Sequence, residues 1–226
     1  MRMPAMWSLK PSRHLDAGPP AAWRSAVWLL LAALAAASPV AAGEPPGSAV
    51  AEEAVKRCAA IDDRPSAAES ERVAQALELA EQAVAADARD AKAHLAVFCS
   101  LAKRTYITGF SLRSLVALHR MHNEIDTALA LAPDYTDALL AKGALLLNLP
   151  RLLGGDVVAA ERLIRAALVI EPDRISARLY LAEALSARGE RAAARAQAEA
   201  ALVAAQSAGR QPQADEARLL IAQLAP

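Results

Sequence analysis

His119 and His122 stand one helical turn apart with Glu124 close behind, residue types that can ligate a divalent metal from one helix face. Two imidazoles without a third ligand fixed by the same spacing make a weak site. An exposed histidine pair on a solvated helix explains them as well, so no metal is assigned. Gly154-Gly155-Asp156 precedes a helical segment and could cradle an anion at the positive helix end. No P-loop lysine follows, and a turn with an Asp N-cap accounts for the same three residues. Lys103-Arg104 either complements the negative end of a helix or meets an anionic partner group. The paired acids Glu52-Glu53 and Asp62-Asp63 read as solvated surface. Cys58 and Cys99 are the only thiols, without the Cys-x-x-Cys spacing of a redox motif. No Ser/His/Asp order, catalytic carboxylate pair or cofactor loop stands out. The chain is therefore read as a non-enzyme without a cofactor.

The elements that position these residues begin after an N-terminal segment of a different kind. Arg13 and Arg24 precede the apolar run Val27 to Ala37, which exits through Ser38-Pro39-Val40-Ala41-Ala42. A basic flank, a short apolar run and a small-residue exit describe a secretory signal peptide, residues 1–42, with cleavage after Ala42. The alternative is an uncleaved anchor, but the run falls short of the roughly 20 residues a spanning helix needs. Met3 and Met6 leave the true start open. No second apolar stretch approaches spanning length, so no stable membrane insertion is expected after cleavage. The mature protein is expected in the periplasm or secreted. Removing residues 1–42 leaves 184 residues, with 21 basic and 24 acidic side chains. A mildly acidic chain lacks the basic surface that nucleic acid or an anionic membrane requires.

Residues 43–48 read as a Pro/Gly linker and 49–226 as one helical domain. Abundant Ala and Leu with few aromatics favour helix over strand. Ser48 caps a first helix, Ala49 to Ala60. Ser66 with Glu69 forms a capping box for a second, ending near Asp87. Asp90 caps a third helix to Lys103, and Thr105 to Phe110 read as a connection broken by Gly109. Ser111 caps a fourth, ended before Pro133. A fifth begins at Asp134 or Thr136 and runs to Asn148. The apolar connection Leu149-Pro150-Arg151-Leu152-Leu153 either tucks back onto the domain or makes a contact patch. Asp156 caps a sixth helix to Ile170. The seventh covers Ile175 to Ala187, the eighth Glu190 to Ala205, and Pro212 opens the last.

Three segments close alike: Ala76, Ala80 and Ala83 before Asp87-Ala88, then Ile125 and Ala128 before Pro133, then Ala160, Ile164 and Ala167 before Pro172. Small residues at helical spacing before a helix stop indicate helices packed closely in hairpins. On this pattern the chain resembles the tetratricopeptide repeat (TPR) proteins. The match runs from about residue 66 to 206. Leu181, Ala182 and Leu185 take first-helix positions, and Ala194, Ala198 and Ala201 second-helix positions. Pro133 and Pro172 are 39 residues apart and Ala88 and Pro133 are 45 apart, longer than a period of about 34 residues. The repeats therefore carry insertions around Thr105–Phe110 and Leu149–Gly155.

The resemblance implies an all-α, right-handed α-solenoid of about four antiparallel hairpins with a C-terminal capping helix. It implies a protein or peptide partner held on a concave face lined by Lys92, Leu95 and Lys103, by Asp137, Leu140, Ala144 and Asn148, and by Ser176, Leu179 and Glu183. This lining lacks the Lys/Asn/Arg set of family members that clamp C-terminal carboxylates. A scaffold or adaptor is the expected role. The alternative is a periplasmic accessory of a TRAP-type solute transporter, assembling as a homo-oligomer. In stacked hairpins Cys58 and Cys99 sit at similar heights on parallel neighbouring helices, so a disulfide is geometrically open to them, as is a pair of buried free thiols.

Overall fold

Alanine and leucine at helical spacing, interrupted by Ser, Asp, Gly and Pro, build nine α-helices and one 3-10 helix among the described residues, with no strand. The structure is a computed structural model that describes residues 48–61, 66–109 and 112–224. The expected signal segment 1–42, most of the linker, Asp62-Asp63 and Ser111 lie outside the described residues. The helices are α1 (Ala49–Ala59), α2 (Ala67–Ala86), α3 (Ala91–Thr108), α4 (Leu112–Leu131), α5 (Thr136–Asn148), α6 (Val157–Ile170), α7 (Ile175–Ala187), α8 (Arg191–Ser207) and α9 (Gln211–Gln223). The 3-10 turn Arg151–Leu153 separates α5 from α6. None of these helices is long and apolar enough to cross a membrane.

Side-chain caps set several helix starts. The Ser48 hydroxyl accepts from Ala51 N–H at 3.1 Å and the Ser66 hydroxyl from Glu69 N–H at 3.1 Å. Asp90 accepts from the amides of Lys92 and Ala93, and Asp156 from those of Val158 and Ala159. Each carboxylate satisfies two amides that a helix start leaves without partners.

One expected connection is helix instead. α3 continues through Lys103 to Thr108 and stops at Gly109, whose φ of +77° suits a residue without a Cβ. Within that extension the hydroxyls of Thr105 and Thr108 donate to the carbonyls of Leu101 and Arg104. Thr105 and Thr108 thus keep their hydroxyls satisfied within a helix that their β-branched type disfavours. Lys103-Arg104 consequently does not stand at a helix end.

Each helix packs on the next in the chain, and α1 also packs on α3, α5 on α7 and α7 on α9. The even-numbered helices bury single stripes of small residues. Ala76, Ala80 and Ala83 on α2, Ala160 and Ala167 on α6, and Ala194, Ala198 and Ala201 on α8 are all at most 1% exposed. Those of α2 and α6 close two of the repeated segments, and the small size of all of them lets backbones approach. Gly143 makes the closest case. A Cβ there would lie 2.9 Å from Ile164 Cγ1, so α5 meets α6 where glycine leaves room. α3 lies at the centre of the N-terminal half, and every side chain from Ala91 to Lys103 is buried. Cys58 of α1 is bonded to Cys99 of α3, with Cα atoms 6.3 Å apart.

Candidate functional site

The connection from α5 to α6 is built from backbone bonds. Leu153 N–H donates to Pro150 C=O at 2.8 Å, Gly155 N–H to the same oxygen at 3.1 Å, and Asp156 N–H to Leu146 C=O at 3.0 Å. Gly154 takes φ +93°. At Gly155 a Cβ would stand 1.8 Å from the Leu149 carbonyl oxygen, so the tight turn admits only glycine. His122 of α4 backs this turn, its Nε2 lying 3.6 Å from where a Cβ on Gly154 would be.

The loop both tucks in and projects. Leu149 packs against the main core, and Leu153 is half-buried. Pro150 and Arg151 are exposed, and Leu152 is 98% exposed. Val158, on the first turn of α6, is also exposed. Beside them a cleft of about 550 Å³ is walled by Arg151, by Gly155 to Val158, and by Ala187 and Arg188 at the end of α7.

Arg188 does not stand in the cleft as an uncompensated charge. It pairs with Glu161 on α6 and with Glu190 at 2.9 Å. Burial alone would raise the Glu161 carboxyl, but hydrogen bonds from Arg165 and Arg188 outweigh it and hold that carboxyl below its usual range. The Glu161–Arg188 pair ties α6 to the end of α7 and fixes one wall of the cleft.

Most of the residues expected to line a concave face are buried. Lys92, Leu95, Lys103, Leu140, Ala144 and Leu179 are each at most 6% exposed, covered by the chain's own helices. The expectation placed on an open surface side chains that pack inside the domain. Lys92 donates to Glu52 at 3.1 Å, and Lys103 donates to the Ile61 carbonyl at 3.1 Å. Asp137 is paired with Arg174, and Asn148 donates to Ala144 C=O at 2.9 Å. Only Asp137, Asn148, Ser176 and Glu183 of the expected set keep part of their surface.

The His119, His122 and Glu124 grouping also disperses. His119 is paired with Asn123 at 3.2 Å, while Glu124 turns to His94 and Arg120. No group of three metal-ligating side chains converges among the described residues. His94 carries a link that sequence reasoning missed. Its Nδ1 is 2.7 Å from Glu124 and its Nε2 is 3.0 Å from the Ala88 carbonyl. Arg120 extends that link to Glu81 on α2 at 2.6 Å. Nothing in the spacing of these residues pairs them, because the partners come from three different helices. The chain matches no model of a known protein family and no curated protein.

Proposed function

We propose that this protein is an exported interaction module of TPR type that engages a protein partner at the α5–α6 tip. The hairpins are α1–α2, α3–α4, α5–α6 and α7–α8, forming a right-handed array that α9 caps. The recurring small-residue stripes and the contacts among odd-numbered helices support this reading of the array. The basic flank and apolar run of residues 1–42 support export, as does a Cys58–Cys99 bond that suits an oxidising compartment.

One observation carries the site: Leu152 is 98% exposed on a turn held by four backbone hydrogen bonds. A large apolar side chain ordered in solvent costs free energy that binding recovers. A preorganised loop also loses little freedom when a partner closes on it. The cleft beside it, between Arg151 and Arg188, receives what Leu152 does not cover.

A photo-crosslinking residue at position 158, used in cells that make the chain, tests this. A discrete protein adduct is expected, lost when Leu152→Asp is added, and no such adduct is expected from the same label at the exposed Val203. Equal adducts with and without Leu152→Asp, or from both positions, would remove the tip from consideration. Adducts only between copies of this chain, with a stable trimer in solution, would instead favour the transport-accessory alternative.

A further inference from the structure

α9 rests on α7 and α8 through a narrow apolar strip. Ala217 of α9 packs with Leu179 of α7 and Ala201 of α8, and Leu220 and Leu224 join the main core. Two carboxylates flank that strip. Glu183 lies one turn beyond Leu179 on the same face of α7, and Glu216 directly precedes Ala217 on α9. These positions put the two acids on either side of the seam between α7 and α9, near enough for the Glu216 charge to act on the Glu183 carboxyl.

Among the described residues, no cation meets them. α7 packs on α5, α6, α8 and α9, and the charges on those elements are engaged elsewhere. On α5, Asp137 pairs with Arg174 and Lys142 with Asp126. On α6, Glu161 holds Arg165 and Arg188. On α8, Arg195 pairs with Glu199 and Arg191 has a partner of its own. On α9, Asp215 pairs with Arg218, and on α7 itself Arg178 donates to Gln197 and to the Pro172 carbonyl. Arg162 and Arg210 remain, and neither perturbs the pair, since the one charge felt by Glu183 is that of Glu216.

We propose that α9 is a proton-controlled cover over the inner face of α7, held down while Glu183 or Glu216 is protonated and loosened when both are charged. Burial first, and the Glu216 charge second, push the Glu183 carboxyl up to about 7, and burial pushes Glu216 up to about 7. A proton on either carboxyl removes their repulsion. Without it, two negative charges sit in a seam with no counter-ion. Lifting α9 relieves them and uncovers Leu179 and Ala201, an apolar strip on α7 and α8 that the closed domain hides. This cover is independent of the tip and does not depend on the partner proposed there.

Hydrogen–deuterium exchange on the full chain at pH 6 and pH 8.5, corrected for intrinsic exchange, reads the cover directly. Protection of the Gln211–Gln223 amides is expected to fall at least about tenfold between the two pH values, while that of α3 stays level. In the double variant Glu183→Gln with Glu216→Gln, α9 is expected to stay protected at both. Asp215→Asn, an exposed acid on the same helix, is expected to keep the wild-type drop. A wild-type α9 protected equally at both pH values overturns the proposal, as does a drop that persists in the double variant. Each single Gln variant removes one of the two buried charges and is expected to show a smaller drop than the wild type at pH 8.5. If the double variant fails to fold, a wild-type drop that persists in both singles overturns the proposal in its place.

Discussion

The ammonium of Lys103 donates to the carbonyl of Ile61 across 3.1 Å, from a side chain that is 1% exposed. The bond closes the end of the α1 segment onto α3. Lys103→Ala removes the donor and most of the volume. It is expected to destabilise the fold by about 2–4 kcal/mol in urea unfolding. Lys103→Met keeps the volume and is expected to cost less. A change under about 0.5 kcal/mol in both variants would mean the buried lysine is dispensable.

The Cys58–Cys99 bond joins the same two helices and closes a loop of 41 residues. In the chain-entropy model such a loop contributes about 4 kcal/mol. The double variant Cys58→Ala with Cys99→Ala is expected to lose stability of that order relative to the oxidised protein. Reductant should lower the unfolding midpoint of the wild type and leave the variant unchanged. Thiol labelling of the unfolded, unreduced protein should find neither cysteine reactive.

Gly155 and Leu152 should separate stability from binding. Gly155→Ala drives a Cβ into the Leu149 carbonyl, so the turn must open, at an expected cost above about 2 kcal/mol. Leu152→Ser touches nothing in the closed fold and is expected to change stability by under about 0.5 kcal/mol. Thermal melts of the two variants side by side check this. A large loss for Leu152→Ser would show the side chain packed rather than presented.

The Glu183–Glu216 pair sets a pH dependence whose sign follows from proton binding. Both carboxyls are raised to about 7 in the folded chain, from about 4.5. Between those values the folded state holds more protons than the unfolded one. Stability is therefore fully present below about 4.5 and declines as pH rises through 7. Glu183→Gln is expected to make this decline shallower, with the share of Glu216 remaining, and to raise stability at pH 8 by on the order of 2 kcal/mol. Denaturant midpoints taken from pH 5 to 8.5 measure it, and a parallel decline in the variant would sink the account.

The helices were legible because their signals are local. Ser48, Ser66, Asp90 and Asp156 cap the helices that their types predict, and the small-residue stripes of α2, α6 and α8 are buried as their spacing implies. The tip loop was legible too, since Leu149-Pro150-Arg151-Leu152-Leu153 is an apolar run where a polar turn is expected. The end of α3 was not, because the helix runs through the β-branched Thr105, Ile107 and Thr108 against their weak propensity.

Tertiary structure alone decided which faces stay open. Periodicity marks the apolar side of a helix, but not how many neighbours will cover it. Leu140 and Leu179 vanish into seams between helices while Leu152, of the same type, stands 98% exposed. The same holds for charge. Glu124 can pair with a histidine on its own helix or on another, and the fold chose His94 by packing α3 on α4, which sets His94 Nδ1 2.7 Å from the carboxylate. Helix formation is set by bonds within a few residues, whereas burial and pairing depend on contacts between segments far apart in the chain.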